Sequence, residues 1–285
     1  MMVAPRHGES RPNNLDLTPD AAFAARQRTV LRDLSDCARL WRLCWSLAWL
    51  DIRLRYRGSM LGPFWLTLST AVMVASMGVV YALLFRMNLH EYLPFLALSL
   101  VLWGFLSQLV GDGCGTFTDV EGMIRSVRMP FTLYAARIVL RNLLVPAHNL
   151  VVIVAVYVLM ALWPGLRAVL SLPGMALWLV DAFAICVLLG PLCARFRDIP
   201  PIVSSIVQIA FFLSAVIWKP GQLESHEWLL TFNPFFTLLE VVRAPLLGEF
   251  PSLWVWISAL LWSAALWCAA WLLFARVRGR IAFWV

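Results

Sequence analysis

Charged residues are scarce in this sequence of 285 residues: Asp, Glu, Lys and Arg make up 14% of it, and hydrophobic residues make up 61%. A soluble domain carries about 25% charged residues, so the composition excludes an ordinary soluble fold. Several apolar stretches approach or exceed the ~20 residues that a membrane-spanning helix needs. A membrane β-barrel would instead show short segments of alternating polarity. The sequence therefore predicts an all-α polytopic membrane protein.

Lysine is almost absent, since Lys219 is the only one among the 23 basic residues. It follows Trp218 and precedes Pro220, with no glycine-rich stretch before it, so the sequence contains no Walker A motif. Paired catalytic carboxylates, an HExxH motif and a nucleophile elbow are also missing. A pump with this sequence would take its energy from another chain or from an ion.

The six cysteines form no CxxC pair, and none is grouped with a histidine. Most of them lie in or beside apolar stretches, where cysteine usually acts as a small hydrophobic residue. We therefore expect neither a disulfide framework nor a metal site in this chain.

The basic residues fall mainly in four clusters, at residues 6–57, 125–141, 195–197 and 276–280. Clusters that alternate with apolar stretches are typical of cytoplasmic loops under the positive-inside rule. Six spans with both termini in the cytoplasm place all four clusters on the cytoplasmic side. The predicted spans are about 61–85, 92–110, 133–163, 172–194, 199–218 and 253–274. The net charge of +7 is thus explained by membrane topology, and we expect no nucleic-acid partner.

The segments outside the spans differ in character. Residues 1–35 hold few large apolar side chains and are predicted to be a mobile cytoplasmic tail, which leaves residues 36–285 as the transmembrane domain. Segment 112–130 is polar and predicts a short exposed helix. Segment 219–250 mixes charges and helix breakers with an apolar run too interrupted to span, which predicts two short re-entrant helices at the outer face.

Residues 41–57 predict an amphipathic helix at the membrane surface. Leucines recur every three or four residues and share one face, at 40, 43, 47, 50 and 54. Arginines occupy the opposite side, including Arg53 and Arg57, and Trp41, Trp45 and Trp49 repeat along one flank. A basic face, an apolar face and a row of tryptophans suit the headgroup layer of an anionic leaflet.

Charged and aromatic residues inside the predicted spans are candidates for a substrate path. Asp181 is the deepest charge, and Arg137 lies near the inner end of the third span. A structural hydrogen bond would explain the first equally well, and snorkelling the second. Trp65, Tyr81 and Trp103 offer flat faces that stack on sugar rings of any type, although lipid contact or core packing would also account for them.

Six short motifs occur in a fixed order: 51–57 DIRLRYR, 61–65 LGPFW, 124–130 IRSVRMP, 194–199 ARFRDI, 214–218 SAVIW, and Asn233-Pro-Phe followed by Glu240-Val-Val-Arg243. Their order and placement resemble the membrane subunits of type-2 ABC exporters for polysaccharides, the O-antigen and capsule export permeases. The resemblance covers about residues 40–280. Trp218-Lys219-Pro220 departs from it, because the family often has Tyr-Pro there.

The resemblance implies a role for each segment. A coupling helix would dock on a separate ATPase through Val120, Met123, Ile124, Arg125, Arg128 and Pro130. Residues 41–57 would be the interfacial helix beside it, and an outer gate would include Trp218, Asn233, Pro234, Glu240 and Arg243. The resemblance also implies a homodimer in the inner membrane with two ATPase chains, which would hold ATP and Mg²⁺. A lipid-linked polysaccharide would pass between the two copies.

Two other functions stay open. One is ABC export of a different amphiphile, such as a teichoic-acid-like polymer or a drug. The other is a membrane glycosyltransferase, which would need clustered acidic residues on an aqueous loop to hold a metal and a sugar nucleotide. Asp112, Asp119 and Glu121 are the candidates for such a cluster, and they are sparse. The sequence favours a transport subunit over an enzyme.

Overall fold

The computed structural model describes residues 23–58, 64–144 and 146–285, and every regular element in these ranges is helical. The α-helices are α1 Phe23–Arg39, α2 Trp41–Arg55, α3 Phe64–Leu84, α4 Leu89–Cys114, α5 Glu121–Ser126, α6 Phe131–Leu144, α7 Leu150–Leu159, α8 Ser171–Arg195, α9 Ile199–Leu213, α10 Pro234–Leu246, α11 Leu253–Val277 and α12 Ile281–Trp284. The 3₁₀ stretches are Thr118–Val120, Pro146–Asn149, Gly165–Leu170, Pro220–Phe232 and Arg278–Arg280. Residues 1–22 of the predicted tail, and residues 61–63 at the start of the first predicted span, lie outside the described residues.

Four helical stretches are long and apolar enough to cross a membrane: Phe64–Leu84, Leu89–Cys114, Gly165–Arg195 and Leu253–Trp284. They coincide with the first, second, fourth and sixth predicted spans, and they confirm a multi-pass helical membrane protein. The third predicted span, 133–163, is divided between α6 and α7 by a 3₁₀ stretch that begins at a proline, which cannot donate a backbone hydrogen bond. The fifth, 199–218, stops being helical at Leu213.

Helix α8 lies at the centre of the bundle and packs against α4, α6, α10 and α11. Glycines of α8 allow α10 and the segment after α4 to approach closely. A Cβ atom on Gly174 would lie 2.9 Å from the carbonyl oxygen of Val241 in α10, and one on Gly190 would lie 2.9 Å from the Phe117 ring. The chain therefore needs a residue without a side chain at both positions.

Helix α1 packs against α6 and α11. Val30, Leu34 and Cys37 repeat at helical spacing, and Val30 is buried in a cluster with Tyr134 and Phe274. Helix α1 thus begins before the predicted boundary at residue 36, and Val30 and Leu34 pack on the rest of the chain. Most residues of this stretch are polar or small, so the apolar stripe of Val30, Leu34 and Cys37 does not stand out in the sequence.

Helix α2 contacts α6 through small residues, since Cys44 and Ala48 are fully buried. Its leucines and tryptophans are exposed instead, at Leu40, Trp41, Leu43, Trp45, Trp49, Leu50 and Leu54. An amphipathic helix is therefore present at the predicted place, with a narrow stripe packed on protein and a broad exposed face of Leu, Trp and Arg. Its position at a membrane surface stays a prediction.

The bundle has two ends of different composition. At the first end, α5, the start of α6, the ends of α8 and α11, and α12 meet. We call it the arginine-rich end, because in or next to these elements lie Arg125, Arg128, Arg195, Arg276 and Arg280. The second, which carries residues 219–250, is called the opposite end.

Candidate functional site

An ionic network joins three helices at the arginine-rich end. Arg137 of α6 donates to both carboxylate oxygens of Asp51 of α2, with Nε 2.6 Å from Oδ2. One turn further along α6, Arg141 Nη2 lies 2.8 Å from Oδ2 of Asp112 of α4, and Asn142 Nδ2 donates to the same oxygen at 2.8 Å. Bidentate and charge-assisted bonds of this kind are the strong ones. The network thus fixes α2 and α4 against α6.

Arg137 is therefore engaged by other residues of the same chain. Its side chain and that of Asp51 are only 12% and 11% exposed. Partly buried ion pairs stabilise a structure only when their remaining donors and acceptors are also satisfied. Arg137 is one of the predicted path residues, and in the structure its guanidinium is bound to Asp51.

A cavity of about 130 Å³ lies beside this network and is lined by Asp119, Tyr134, Arg137 and Arg141, among others. Burial raises the pKa of Asp119, and the positive charge of Arg141 opposes that shift. Asp119 consequently holds its proton to a higher pH than an exposed aspartate does.

A second ionic contact fixes the start of α6, and sequence reasoning missed it. The buried Asp33 of α1 accepts from the backbone N–H of Thr132 at 2.9 Å and from Nε of Arg278 at 3.0 Å. The Thr132 hydroxyl donates to the Asp33 carbonyl at 2.9 Å. A carboxylate at a helix N-terminus is stabilised by the helix dipole, so α1 holds the point where segment 112–130 passes into α6.

Helix α5 contains or adjoins all six residues predicted for ATPase coupling. Val120, Met123, Ile124 and Pro130 are half-buried, and the first three pack against the chain's own apolar cluster. Arg125 and Arg128 are exposed. Arg125 Nη2 lies 2.6 Å from Glu121 Oε1 and donates to the carbonyl oxygen of Val285 at 2.8 Å. The surface open to a partner thus consists mainly of Gly122, Arg125, Ser126, Val127 and Arg128.

The structure does not bring the three path aromatics together. Trp65 is 60% exposed on α3, and Tyr81 of the same helix is half-buried with its ring 5.6 Å from Phe85. Trp103 is only 7% exposed, between the rings of Phe211 and Phe235. Trp103 thus packs α4 against α9 and α10. It is buried because α4 is surrounded by other helices on most of its circumference.

Asp181 of α8 is buried and accepts a hydrogen bond from the Ser263 hydroxyl of α11 at 2.5 Å. Its other carboxylate oxygen makes no hydrogen bond within the described residues. Asp181 therefore links two membrane helices, as the structural alternative for this residue predicts.

A fully buried arginine organises the opposite end. Arg243 of α10 has 0% exposure, and its Nη1 donates to Ser99 Oγ of α4 at 2.8 Å and to the Ala215 carbonyl at 2.7 Å. Its Nε and Nη2 donate to Glu240 Oε2 at 3.0 and 2.5 Å. The guanidinium carbon lies 4.5 Å from the centre of the Phe95 ring. Glu240 and Arg243 therefore pair, as their spacing of three predicts, and the pair also binds α4 and residues 214–218.

Residues 214–218, the turn after α9, are held from several sides. Tyr92 Oη donates to the Ile217 carbonyl at 2.5 Å, and Asn233 Nδ2 donates to Ser214 Oγ at 3.0 Å. Ala215 adopts a φ of 49°, which is unfavourable for a residue with a Cβ. This conformation leaves its carbonyl bonded to Arg243.

Most of the predicted gate residues meet at this turn. Asn233 also caps α10, which begins with Pro234, by accepting from Phe235 N at 3.0 Å. Trp218 donates to the Phe212 carbonyl at 2.9 Å. Sequence reasoning missed Ser99 and Tyr92, whose only signal was polarity within an apolar span.

Two cavities open beside the Glu240–Arg243 pair. One, of about 930 Å³, lies between 220–232, α10 and α11 and is lined mostly by apolar and aromatic side chains. The other, of about 580 Å³, lies between the start of α4, residues 162–164 and residues 219–221, and it carries several charged side chains. Neither was predicted from the sequence, because each is assembled from distant segments.

Sequence comparison matches this chain to a known family. The family described as ABC-2 type transporter matches residues 42–247. The match extends from α2 to the end of α10, so it includes the ionic network, α5 and the Arg243 cluster.

Curated relatives support the same assignment. The chain is 24% identical over 202 residues to the O-antigen export system permease protein RfbA of Myxococcus xanthus. This alignment covers 70% of the chain and 78% of that protein. Two proteins of the same name from Klebsiella pneumoniae are 22% and 20% identical over 191 residues, and each alignment covers 66% of this chain and 74% of the relative.

The Arg243 cluster generates a stability prediction. Arg243→Leu should lower the free energy of unfolding by about 3–5 kcal/mol, because it leaves the Glu240 carboxylate without its partner in a buried site. Thermal unfolding of the detergent-purified protein, followed by fluorescence, measures the change.

Two comparisons test the cause of that loss. The double variant Arg243→Leu with Glu240→Leu should be more stable than Arg243→Leu alone, since it removes both charges. The exposed Arg280→Leu should change stability by less than about 0.5 kcal/mol. A double variant less stable than Arg243→Leu would contradict the role assigned to the pair.

Proposed function

This chain belongs to the ABC-2 type transporter family, and on that premise we propose that it is the membrane subunit of an ATP-driven exporter of a lipid-linked polysaccharide, of O-antigen or capsule type. The family supports a role as a transport subunit. The observation that carries the substrate class is the similarity to three proteins named O-antigen export system permease. ATP and Mg²⁺ would be bound by a separate ATPase.

The proposed topology has six spans in the inner membrane, with both termini in the cytoplasm. Its support is the arginine-rich end, which collects Arg125, Arg128, Arg195, Arg276 and Arg280 on one side of the bundle. In this arrangement α6 and α7 together form the third span. Helix α9 and residues 214–218 form the fifth, and the opposite end faces outward.

The ATPase would dock on α5 at the arginine-rich end. This docking is supported by the short length and the exposure of α5. Three contacts also hold the residues around α5 in place: Asp33 with Thr132, Asp51 with Arg137, and Arg125 with Val285. A force on α5 would pass through these contacts to α1, α2 and α6. Two ATPase chains and a second copy of this chain complete the proposed assembly.

The polymer path would lie along the exposed face of α3, between the two copies. Trp65 and Tyr81 both belong to this helix, and most of its large apolar side chains are exposed. Trp103 would not touch the polymer itself and would act indirectly, by positioning Phe211 and Phe235. Aromatic faces give weak contacts to any sugar ring, so a polymer can advance along them.

The structure gives a glycosyltransferase little support. Arg141 and Asn142 already bind Asp112, and Arg125 binds Glu121. Within the described residues, the three acidic side chains proposed for such a site are therefore not free to hold one metal together. Export of a teichoic-acid-like polymer or a drug would use the same architecture, and the substrate assay below separates these cargoes.

Cysteine labelling tests the topology. Ser225→Cys at the opposite end should react with a membrane-impermeant maleimide in intact cells, whereas Gly122→Cys in α5 should react only after permeabilisation. Both positions are exposed, so the difference would report the side of the membrane. Reaction of Ser225→Cys only after permeabilisation would contradict the six-span topology.

Charge reversal at α5 tests the coupling. Arg128→Glu should reduce co-purification of the ATPase by more than tenfold and abolish export. We expect Arg128 to meet acidic groups on the ATPase, and a like charge in an interface costs several kcal/mol. Arg128 is the cleaner choice, since Arg125 also bonds to Glu121 and Val285. Arg86→Glu, exposed at the opposite end, is the matched control. An equal loss in both variants would argue against docking on α5.

Removal of aromatic faces tests the path. Trp65→Leu with Tyr81→Leu keeps the apolar bulk and should reduce both polymer export and polymer-stimulated ATP hydrolysis to less than half, at normal protein level. Phe283→Leu, exposed at the arginine-rich end, should leave both activities unchanged. Wild-type activity in the double variant would mean that the path lies on other helices. Stimulation by a teichoic-acid-like polymer or a drug in place of the polysaccharide would identify the alternative cargo.

A further inference from the structure

The larger cavity at the opposite end is an aromatic cleft. Its lining includes Trp228 and Phe232 of residues 220–232, Phe236 of α10, and Trp254 and Trp262 of α11. Most of these rings are substantially exposed, including Trp228 at 57% and Trp254 at 71%. The cleft is therefore open at its side, where a long apolar chain could enter without displacing packed side chains.

The depth of the cleft matches one leaflet of a bilayer. Its α11 wall runs from Trp254 to Ala265 along a single helix face. At 1.5 Å per residue this wall is about 16 Å long, which is close to half of the ~30 Å hydrocarbon core. Five polar residues line the cleft, at Glu227, Thr231, Glu240, Ser252 and Ser258, and the other lining residues are apolar or aromatic.

The smaller cavity has the opposite character. Its charged residues include Glu91, Lys219, Glu227 and Glu249, and Phe95, Tyr157 and Trp163 add ring faces. Carboxylates that accept from hydroxyl groups, together with flat rings, suit a sugar. Its volume of about 580 Å³ falls within the range of small-molecule sites. Lys219 supplies a cation for a phosphate group.

The two cavities share part of their lining. Pro220, Glu227 and Glu240 border both of them. An apolar cleft one leaflet deep thus adjoins a polar cavity with rings and carboxylates. We propose that together they form one binding site for a lipid-linked saccharide, with the lipid chain in the aromatic cleft and the first sugars in the polar cavity.

This inference rests on the proposed function and adds a location to it. The site lies on the outward-facing end, so it would receive the lipid end of the substrate after transport. Ordinary phospholipid is the competing occupant of the cleft. Phospholipid headgroups such as phosphocholine offer no sugar ring or set of hydroxyl groups to the polar cavity, and the two ligands can therefore be told apart by competition.

Photo-crosslinking tests the cleft. The probe is a polyprenyl-diphospho-N-acetylglucosamine with a diazirine near the end of its prenyl chain, added to the complete transporter complex in nanodiscs. Peptides that contain Trp228 or Trp262 should be labelled. Ala265→Trp, which fills the cleft, should reduce labelling at least tenfold. Ala264→Trp should not, because Ala264 is exposed on the same helix but lies outside the cleft lining.

Competition tests the polar cavity. An unlabelled polyprenyl-diphospho-N-acetylglucosamine should compete with the probe, and Glu227→Ala should weaken that competition at least tenfold. Glu227→Ala should not affect competition by polyprenyl phosphate, which carries no sugar. Glu224→Ala is the control, since Glu224 is exposed on the same segment but lines neither cavity.

Several outcomes would overturn the inference. They are the absence of labelling in the cleft, unchanged labelling in a normally folded Ala265→Trp, and unchanged competition in Glu227→Ala. Labelling by a photoactivatable phosphatidylcholine that the saccharide lipid does not displace would assign the cleft to bulk lipid. Saccharide-stimulated ATP hydrolysis, measured on the wild-type complex in parallel, reports the proposed function separately. If stimulation is present and cleft labelling is absent, only the location fails; if stimulation is absent, the function itself fails.

Discussion

A buried guanidinium fixes the geometry of the opposite end. Arg243 cannot be left unpaired at 0% exposure, because an isolated charge in a low-dielectric interior is very costly. Its partners come from α4, from α10 and from the turn after α9. The strained φ of Ala215 is tolerated because the resulting carbonyl position satisfies this arginine. Both cavities at this end border Glu240, so their shape follows from the same pairing.

The arginine-rich end obeys the same constraint with a different arrangement. There the carboxylates of Asp33, Asp51 and Asp112 each meet a cation from another helix, at Arg278, Arg137 and Arg141. Each pair joins segments distant in the chain. Helix α5 is short and exposed, and these pairs give it a rigid base, as the proposed docking of an ATPase would require.

Periodicity and composition were enough to predict the helical class, four of the six expected spans, the helix that begins at Trp41 and the exposed position of Arg125 and Arg128. They failed where tertiary contacts decide the outcome. The sequence shows that Glu240 and Arg243 are three residues apart, but it does not show that Ser99 and Ala215 complete the site. Trp103 appeared equivalent to Trp65, although one is buried in the core and the other is exposed. Asp33 was assigned to a tail because local polarity outweighed the stripe of Val30 and Leu34.

The distribution of charge bears on how a sugar polymer can be moved. Among the described residues, the ion pairs lie toward the two ends, and α3 and α9 contain no charged residue. Their exposed surfaces are mostly apolar or aromatic, including Trp65, Ile206 and Phe212. A charged side chain would hold each passing sugar by strong hydrogen bonds, whereas ring faces give weak contacts that any sugar can exchange. In the proposed exporter, the uncharged surfaces of α3 and α9 would let a polymer slide between two ionically fixed ends. Those ends would stay rigid enough to dock an ATPase and to hold a released lipid.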